Sequence, residues 1–230
     1  MVMNNAMATP SDGGIHPSLR EGDRDPLRVY LVRHGETLWS LTGQHTGKTD
    51  IALTPHGENQ ALALAPMLNE VTFNHVLTSP ALRARQTCKL AGFAGRAVVD
   101  ADFAEWDYGD YEGMRTSDIR KYRPDWNVFR DGSPGGESVH DVTARADRAI
   151  AALCALAGSV LVFSHGHFGC SLAARWIGLP IVEAQHLQMD PASISVLGFS
   201  PAHPELAVIA HWNHAPAMTA DEAYRMRADA

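Results

Sequence analysis

Lysine is scarce in this chain: of 19 basic residues only 3 are Lys, and 16 are Arg. A planar guanidinium grips phosphate through two parallel hydrogen bonds where an ammonium offers a point charge, so the bias suits a phosphate pocket. For the surface arginines a GC-rich coding sequence is the simpler explanation. Cysteine is scarce too. Cys88, Cys154 and Cys170 are odd in number, widely spaced and without a C-x-x-C pair, which speaks against a disulfide framework and a zinc site. Reduced thiols in a cytoplasmic protein are the expectation. No apolar run approaches the length of about eighteen residues that a membrane span needs. The formal net charge of −7 speaks against a general nucleic-acid or membrane binder, because an acidic surface repels both polyanions.

What remains is ordinary for a globular domain: 230 residues, 45% of them apolar, with no internal repeat or low-complexity tract. Residues 1–26 are polar and rich in Gly, Pro, Asp and Asn, with no apolar stretch. They are expected to be a disordered tail rather than a signal peptide or anchor. Residues 27–218 form the expected domain, and 219–230 a loose C-terminal tail. Composition sets no oligomeric state.

Within the domain, short apolar runs alternate with helical patterns, which predicts a three-layer α/β/α fold around a mostly parallel sheet. Strands are predicted at Arg28–Arg33, His75–Thr78, Ala97–Asp100, Ser159–Ser164, Ser193–Phe199 and Leu206–His211. Thr54-Pro55 reads as an N-cap and first-turn proline opening a helix to about Asn69,. A second helix is predicted from Pro80 to about Ala91, and a third from about Phe168 to Ile177. Ser138, with Asp141 three residues on, caps a long helix to about Ala157, with Val139, Val142, Ala146, Ile150 and Leu153 on one face,. Residues 105–137 are rich in Gly, Pro, Asp and aromatics. They read as a loop-dominated lid with a short helix near Ser117–Tyr122.

The decisive motif is Arg33-His34-Gly35-Glu36-Thr37, placed directly after the apolar run Val29–Val32. Open α/β sheets carry their chemistry at the carboxyl ends of parallel strands. Alone, the motif reads as a salt-bridged Arg and a satisfied loop His. A second apolar run, Ser159–Ser164, ends in His165-Gly166-His167 and overturns that reading. Two strand ends that each deliver His-Gly point to two imidazoles facing one another across a single pocket.

With both strand ends in view, the chain resembles the histidine phosphatase superfamily, which includes cofactor-dependent phosphoglycerate mutases and fructose-2,6-bisphosphatase. The likeness runs from about Arg28 to at least Gly178. Within the superfamily it is most similar to sedoheptulose-bisphosphatase-type phosphatases. The runs Gly43–Asp50, Glu105–Gly113 and Trp126–Gly132 carry that likeness.

A phosphoryl-transfer pocket needs a nucleophile, donors around the phosphoryl oxygens and an acid for the departing oxygen. His34 is the nucleophile candidate, its neutral imidazole attacking phosphorus. Arg33 and Arg83 are the donors, Arg83 lying just inside a predicted helix start whose amides add to its charge. The resemblance gives that role to Arg83 rather than Arg85. His165 is the fourth phosphate ligand. Zinc binding by His165 and His167 is the rival reading, but no Cys or carboxylate cluster accompanies them; His167 reads as structural or as a cleft-lining residue. No cofactor is expected. Composition leaves Glu105, Asp107, Asp110 and Glu112 open as the acid, and Glu36 reads as a supporting residue.

The resemblance selects Glu105 as proton donor and puts Trp106 and Tyr108 at the substrate. It also implies that His45 and Thr46 touch substrate, and that Trp126, Arg130 and Glu137 shape the lid, with Arg130 near the substrate. One departure stands out. Sedoheptulose-bisphosphatase-like members continue His-Gly-His with an arginine three residues later, where this chain has Cys170. A thiol cannot hold a second phosphate, and Arg130 and Arg175 are the candidates to replace it. The expected partner is thus a small phosphorylated metabolite, hydrolysed without a metal. A cofactor-dependent phosphoglycerate mutase is the alternative, set back by the compact segment between Glu105 and His165, where such mutases carry a longer insertion, and by an Ala/Met-rich end with no obvious closing tail. A catalytically dead phosphate-binding module would be expected to have lost Arg33, His34, Arg83, Glu105 or His165, and all five are present.

Overall fold

A computed structural model describes residues 26–216; the expected tails, 1–26 (apart from its last residue) and 219–230, lie outside the described residues. The chain runs β1 (Arg28–Arg33), α1 (Leu38–Thr42), α2 (Pro55–Asn69), β2 (His75–Thr78), α3 (Leu82–Leu90), β3 (Ala97–Val99), α4 (Thr116–Ile119) and α5 (Val128–Asp131). It continues with α6 (Val139–Cys154), β4 (Ser159–Ser164), α7 (Gly166–Trp176), β5 (Ile194–Phe199) and β6 (Ala207–His214). The strands form one six-stranded sheet in the order β3-β2-β4-β1-β5-β6. The first four are mutually parallel, while β5 runs antiparallel to β1 and β6 antiparallel to β5.

Strand residues alternate faces, so β1 and β4 each feed two cores. Val29, Leu31, Val160 and Val162 pack with Val142, Ala146 and Ile150 of α6 and with Phe168, Leu172 and Trp176 of α7. On the other face Val32, Leu161 and Phe163 pack with Leu64 and Leu68 of α2 and Cys88 of α3. Each large apolar side chain fully buried this way contributes about 1.5–3 kcal/mol. The three layers follow directly from that alternation.

The helix starts read from sequence hold where a local side chain caps them. Thr54 Oγ1 accepts the Gly57 amide at 3.0 Å ahead of Pro55. Ser138 and Asp141 form a reciprocal capping box, although α6 stops at Cys154, earlier than expected. Two short helices escaped the sequence reading. α1 is held by a Thr37–Ser40 capping box, and α5 by the Asn127 side chain accepting the Phe129 amide. α7 begins at Gly166, before the expected Phe168, for a reason found in the site. The expected lid is more anchored than predicted: Trp106, Ile119, Trp126 and Phe129 are buried in the α6/α7 core. The indole N–H groups of Trp106 and Trp126 donate to Glu137 O (3.1 Å) and Gly132 O (2.9 Å).

Candidate active site

The parallel register of β1 and β4 sets Arg33 opposite Ser164. The two histidines that follow therefore leave the sheet side by side, and the His34 amide donates to Ser164 O at 3.0 Å. Their rings lie 5.2 Å apart, inclined at 64°. Gly35 permits the turn, because a Cβ there would collide with the Gly57 carbonyl oxygen at the start of α2.

The His34 ring is oriented by one short hydrogen bond, Nδ1 to its neighbour's carbonyl, Gly35 O, at 2.7 Å. A carbonyl only accepts, so Nδ1 carries the proton. In the neutral ring Nε2 then holds the free lone pair, and it has no hydrogen-bond partner among the described residues. Burial, then the charges of Arg83 and Arg33, hold the imidazole well below its ordinary range, so His34 is neutral at neutral pH. His165 is fully buried, with Nε2 2.7 Å from Ser79 Oγ. Burial and Arg83 depress it as well.

Glu105 reaches the site from the stretch that follows β3. Its Oε1 accepts the Phe168 amide at 2.7 Å and the Trp106 amide at 2.9 Å, and its Oε2 accepts the His167 amide at 3.1 Å. The carboxylate thus caps α7, which explains the early start: the cap comes from far along the chain. It also sits where the α7 dipole favours negative charge. Arg33 joins the cleft with its guanidinium donating to Met189 O.

A cleft of about 310 Å³ opens over these groups, lined by Arg33, His34, His45, Thr46, Glu105, Tyr108, His167 and Cys170. Arg33 is the only Arg or Lys among its described lining residues. His45 stacks on Tyr108, ring centroids 4.7 Å apart, and its Nε2 lies 3.1 Å from Thr116 Oγ1. The Tyr108 hydroxyl lies 2.5 Å from His167 Nδ1. Burial takes His45 down to about 3 and His167 to about 4, so the wall facing a substrate's body is polar and uncharged. Ser40, Gln44, Thr116 and Gln188 line the cleft too. The sequence reading missed their role, because isolated neutral polar side chains in loops carry no periodicity. Ser79 was missed for the same reason, and Arg145 because a charged residue on a long helix reads as ordinary surface charge.

Four of the expected site residues lie away from the cleft wall. Arg83, assigned to phosphate, is fully buried and does not line the cleft. Its Nη1 and Nη2 groups donate to the carbonyls of Thr46 (2.8 Å), Gly47 (3.1 Å) and Thr49 (3.2 Å), while its buried Nε has no partner among the described residues; it shapes the loop and acts on His34 through charge. His165, assigned to the phosphoryl oxygens, likewise lies beneath the lining rather than in it. Trp106 is turned wholly into the core, not toward substrate. Arg130 is half-exposed, pairs with Asp131 at 3.0 Å, donates to Asp125 O, and is absent from the cleft wall. Arg175, the other candidate to replace the arginine absent at Cys170, is spent on Asp147 at 2.9 Å. Glu137 braces the 105–137 segment as expected, and Glu36 accepts from Thr54 Oγ1 at 2.7 Å, a supporting role. Among the described residues no group of three His, Cys, Asp or Glu could hold a metal, and no helix is long and apolar enough to cross a membrane.

The model of the histidine phosphatase superfamily (branch 1) matches residues 29–212. This chain belongs to that superfamily. As a histidine phosphatase it is similar to an acid phosphatase of Mycobacterium tuberculosis, 43% identical over 191 residues that span 81% of this chain and 94% of the relative. It is also similar to sedoheptulose 1,7-bisphosphatase of Saccharomyces cerevisiae, 41% identical over 187 residues, 67% of this chain and 69% of the relative. A solved structure of a Mycobacterium tuberculosis protein superposes with a TM-score of 0.79 at 40% identity, covering 83% of this chain and 99% of that one. Relatives of this histidine phosphatase are thus named as enzymes that hydrolyse phosphomonoesters.

The depressed His34 makes a pH prediction. Attack needs the neutral imidazole, and a lowered value keeps it neutral as pH falls through 6.5, so the acid limb of kcat/KM is expected below the ordinary imidazole range,. Arg83→Met removes the neighbouring charge with the larger effect on His34 and should move that limb upward. Comparing the two enzymes on one substrate cancels the substrate's own ionisation. An unmoved limb would separate Arg83 from His34.

Proposed function

We propose that this histidine phosphatase hydrolyses a phosphomonoester of a small metabolite through a phosphohistidine on His34. The observation that carries the reading is the tautomer: Nδ1 is committed to Gly35 O, which leaves the Nε2 lone pair for phosphorus. In the first step Nε2 bonds to phosphorus, the bond to the leaving oxygen breaks, and that oxygen takes a proton from Glu105. In the second, water attacks the phosphohistidine, gives its proton back to Glu105, and His34 is released with inorganic phosphate. Arg33 supplies positive potential where oxygen charge accumulates. Free thiols at Cys88, Cys154 and Cys170 support a reducing, cytoplasmic setting. The test is release of inorganic phosphate from sugar phosphates and 3-phosphoglycerate with EDTA present. Conversion of 3-phosphoglycerate to its isomer without phosphate release would favour a mutase instead.

The cleft also supports a preference against second phosphates. Cys170 lines it as a neutral thiol, pushed up to about 12 mainly by burial, and its Sγ–H donates to Leu187 O at 3.4 Å. Sugar bisphosphates are therefore expected to show little kcat/KM advantage over matching monophosphates. Cys170→Arg is expected to favour the bisphosphate selectively. A charge-assisted pair to phosphate is worth about 1.5–3 kcal/mol, roughly one to two decades. Strong bisphosphate selectivity in wild type, insensitive to Cys170→Arg, would contradict the assignment.

A further inference from the structure

Arg145 of α6 lies outside the catalytic cleft, yet its donors are divided between the Glu137 carboxylate and the backbone around Glu105. Its Nε and Nη2 donate to the two carboxylate oxygens of Glu137 at 2.8 and 2.7 Å. Nη1 donates to the carbonyls of Asp102 (3.1 Å) and Ala104 (2.7 Å), and Nη2 also reaches that of Glu105 itself (3.3 Å). The guanidinium carbon stands 4.2 Å from the centroid of the Phe168 ring, and the Phe168 amide is the shortest hydrogen bond to the Glu105 carboxylate. Glu137 completes the grip from the far side. Its Oε2 accepts the Asp107 amide at 2.9 Å, and its backbone N–H donates to Asp107 O at 2.9 Å.

We propose that Arg145 and Glu137 form a clamp that positions the Glu105 carboxyl group for proton transfer to the leaving oxygen. The inference rests on the reading of Glu105 as the acid. The clamp fixes the chain immediately before and after Glu105, leaving the side chain to be aimed by the two amides at the start of α7. A cavity of about 470 Å³ lies behind Glu105, on the side of Lys48 and Arg145. Only an arginine fits the task, because its planar fork meets a carboxylate in two places and still has N–H groups for three carbonyls. Lysine keeps the charge and loses that geometry. Arg145 and Glu137 are positioning residues: neither lines the cleft, and both act through Glu105.

The test compares kcat/KM on p-nitrophenyl phosphate, whose phenolate leaves without a proton, and on an alkyl phosphate such as glucose 6-phosphate, whose alkoxide needs one. Wild type, Arg145→Lys, the near-isosteric Glu137→Gln, Glu105→Gln and Arg145→Lys/Glu105→Gln are measured, with thermal melts to select folded protein. Arg145→Lys and Glu137→Gln are expected to lose about 10- to 100-fold on the alkyl phosphate, the scale of a slightly misplaced catalytic group, and less than about threefold on the nitrophenyl ester. Adding Arg145→Lys to Glu105→Gln is expected to cost nothing further on the alkyl phosphate, because the group it positions is already disabled. Equal losses on both substrates in both single variants, with Glu105→Gln still discriminating, would overturn the clamp and leave the acid intact. Failure of Glu105→Gln itself to discriminate would overturn the acid reading, and the clamp with it.

Discussion

His34→Asn is expected to retain the fold and to lose turnover by about four orders of magnitude or more, the scale on which removal of a covalent nucleophile acts. The size follows from the site's geometry. Nε2 is the one nitrogen of the ring left without a protein partner, whereas the neighbouring His165 is fully buried beneath the cleft with its Nε2 held against Ser79 Oγ. Asparagine keeps an amide near the position of Nδ1 and can still donate to Gly35 O, which spares the turn after β1. The melting temperature is therefore expected to change little while phosphate release falls to the level of Arg33 and Glu105 acting on water alone. Activity within tenfold of wild type would remove His34 from the chemistry.

Glu105→Gln carries the second large effect, and it depends on the leaving group. An alkoxide departs only with a proton, and general acid catalysis of this kind contributes about 10²- to 10⁴-fold. A nitrophenolate departs without one. Alkyl phosphates are expected to lose most of that factor, and p-nitrophenyl phosphate to lose far less. The substitution also turns one acceptor into an NH₂ group facing the amides of α7, so the melting temperature is expected to drop. Loss of stability acts equally on both substrates and cannot imitate the difference between them. Equal kinetic losses would mean that Glu105 holds the start of α7 and does no proton transfer.

Much of this architecture is legible in the sequence where cause and effect are local. The apolar runs of β1 and β4, the Thr54-Pro55 start and the Ser138–Asp141 capping box each act within a few residues. The pairing of His34 with His165 was equally legible, because two parallel strands that end in the same motif deliver it to the same place. Long-range causes were not. The early start of α7 depends on a carboxylate from Glu105, and nothing near Gly166 announces it. Arg83 has the composition of a phosphate ligand, but its side chain ends on the carbonyls of Thr46, Gly47 and Thr49. Trp106 and Arg130 sit in a motif that reads as substrate-facing. The indole is needed by the core, and the guanidinium turns out to Asp131. Side-chain direction in an irregular segment is set by tertiary packing, which neither spacing nor composition records.

Trapping the covalent intermediate tests the central claim most directly. Wild-type enzyme turning over a ³²P-labelled monoester is quenched in denaturing alkali, where a phosphohistidine survives, and the labelled peptide is sequenced. The account predicts label that is stable to base and labile to acid, carried on the peptide that contains His34 and absent from His34→Asn. Label on a serine or a cysteine, or steady hydrolysis with no phosphoenzyme formed, would contradict it.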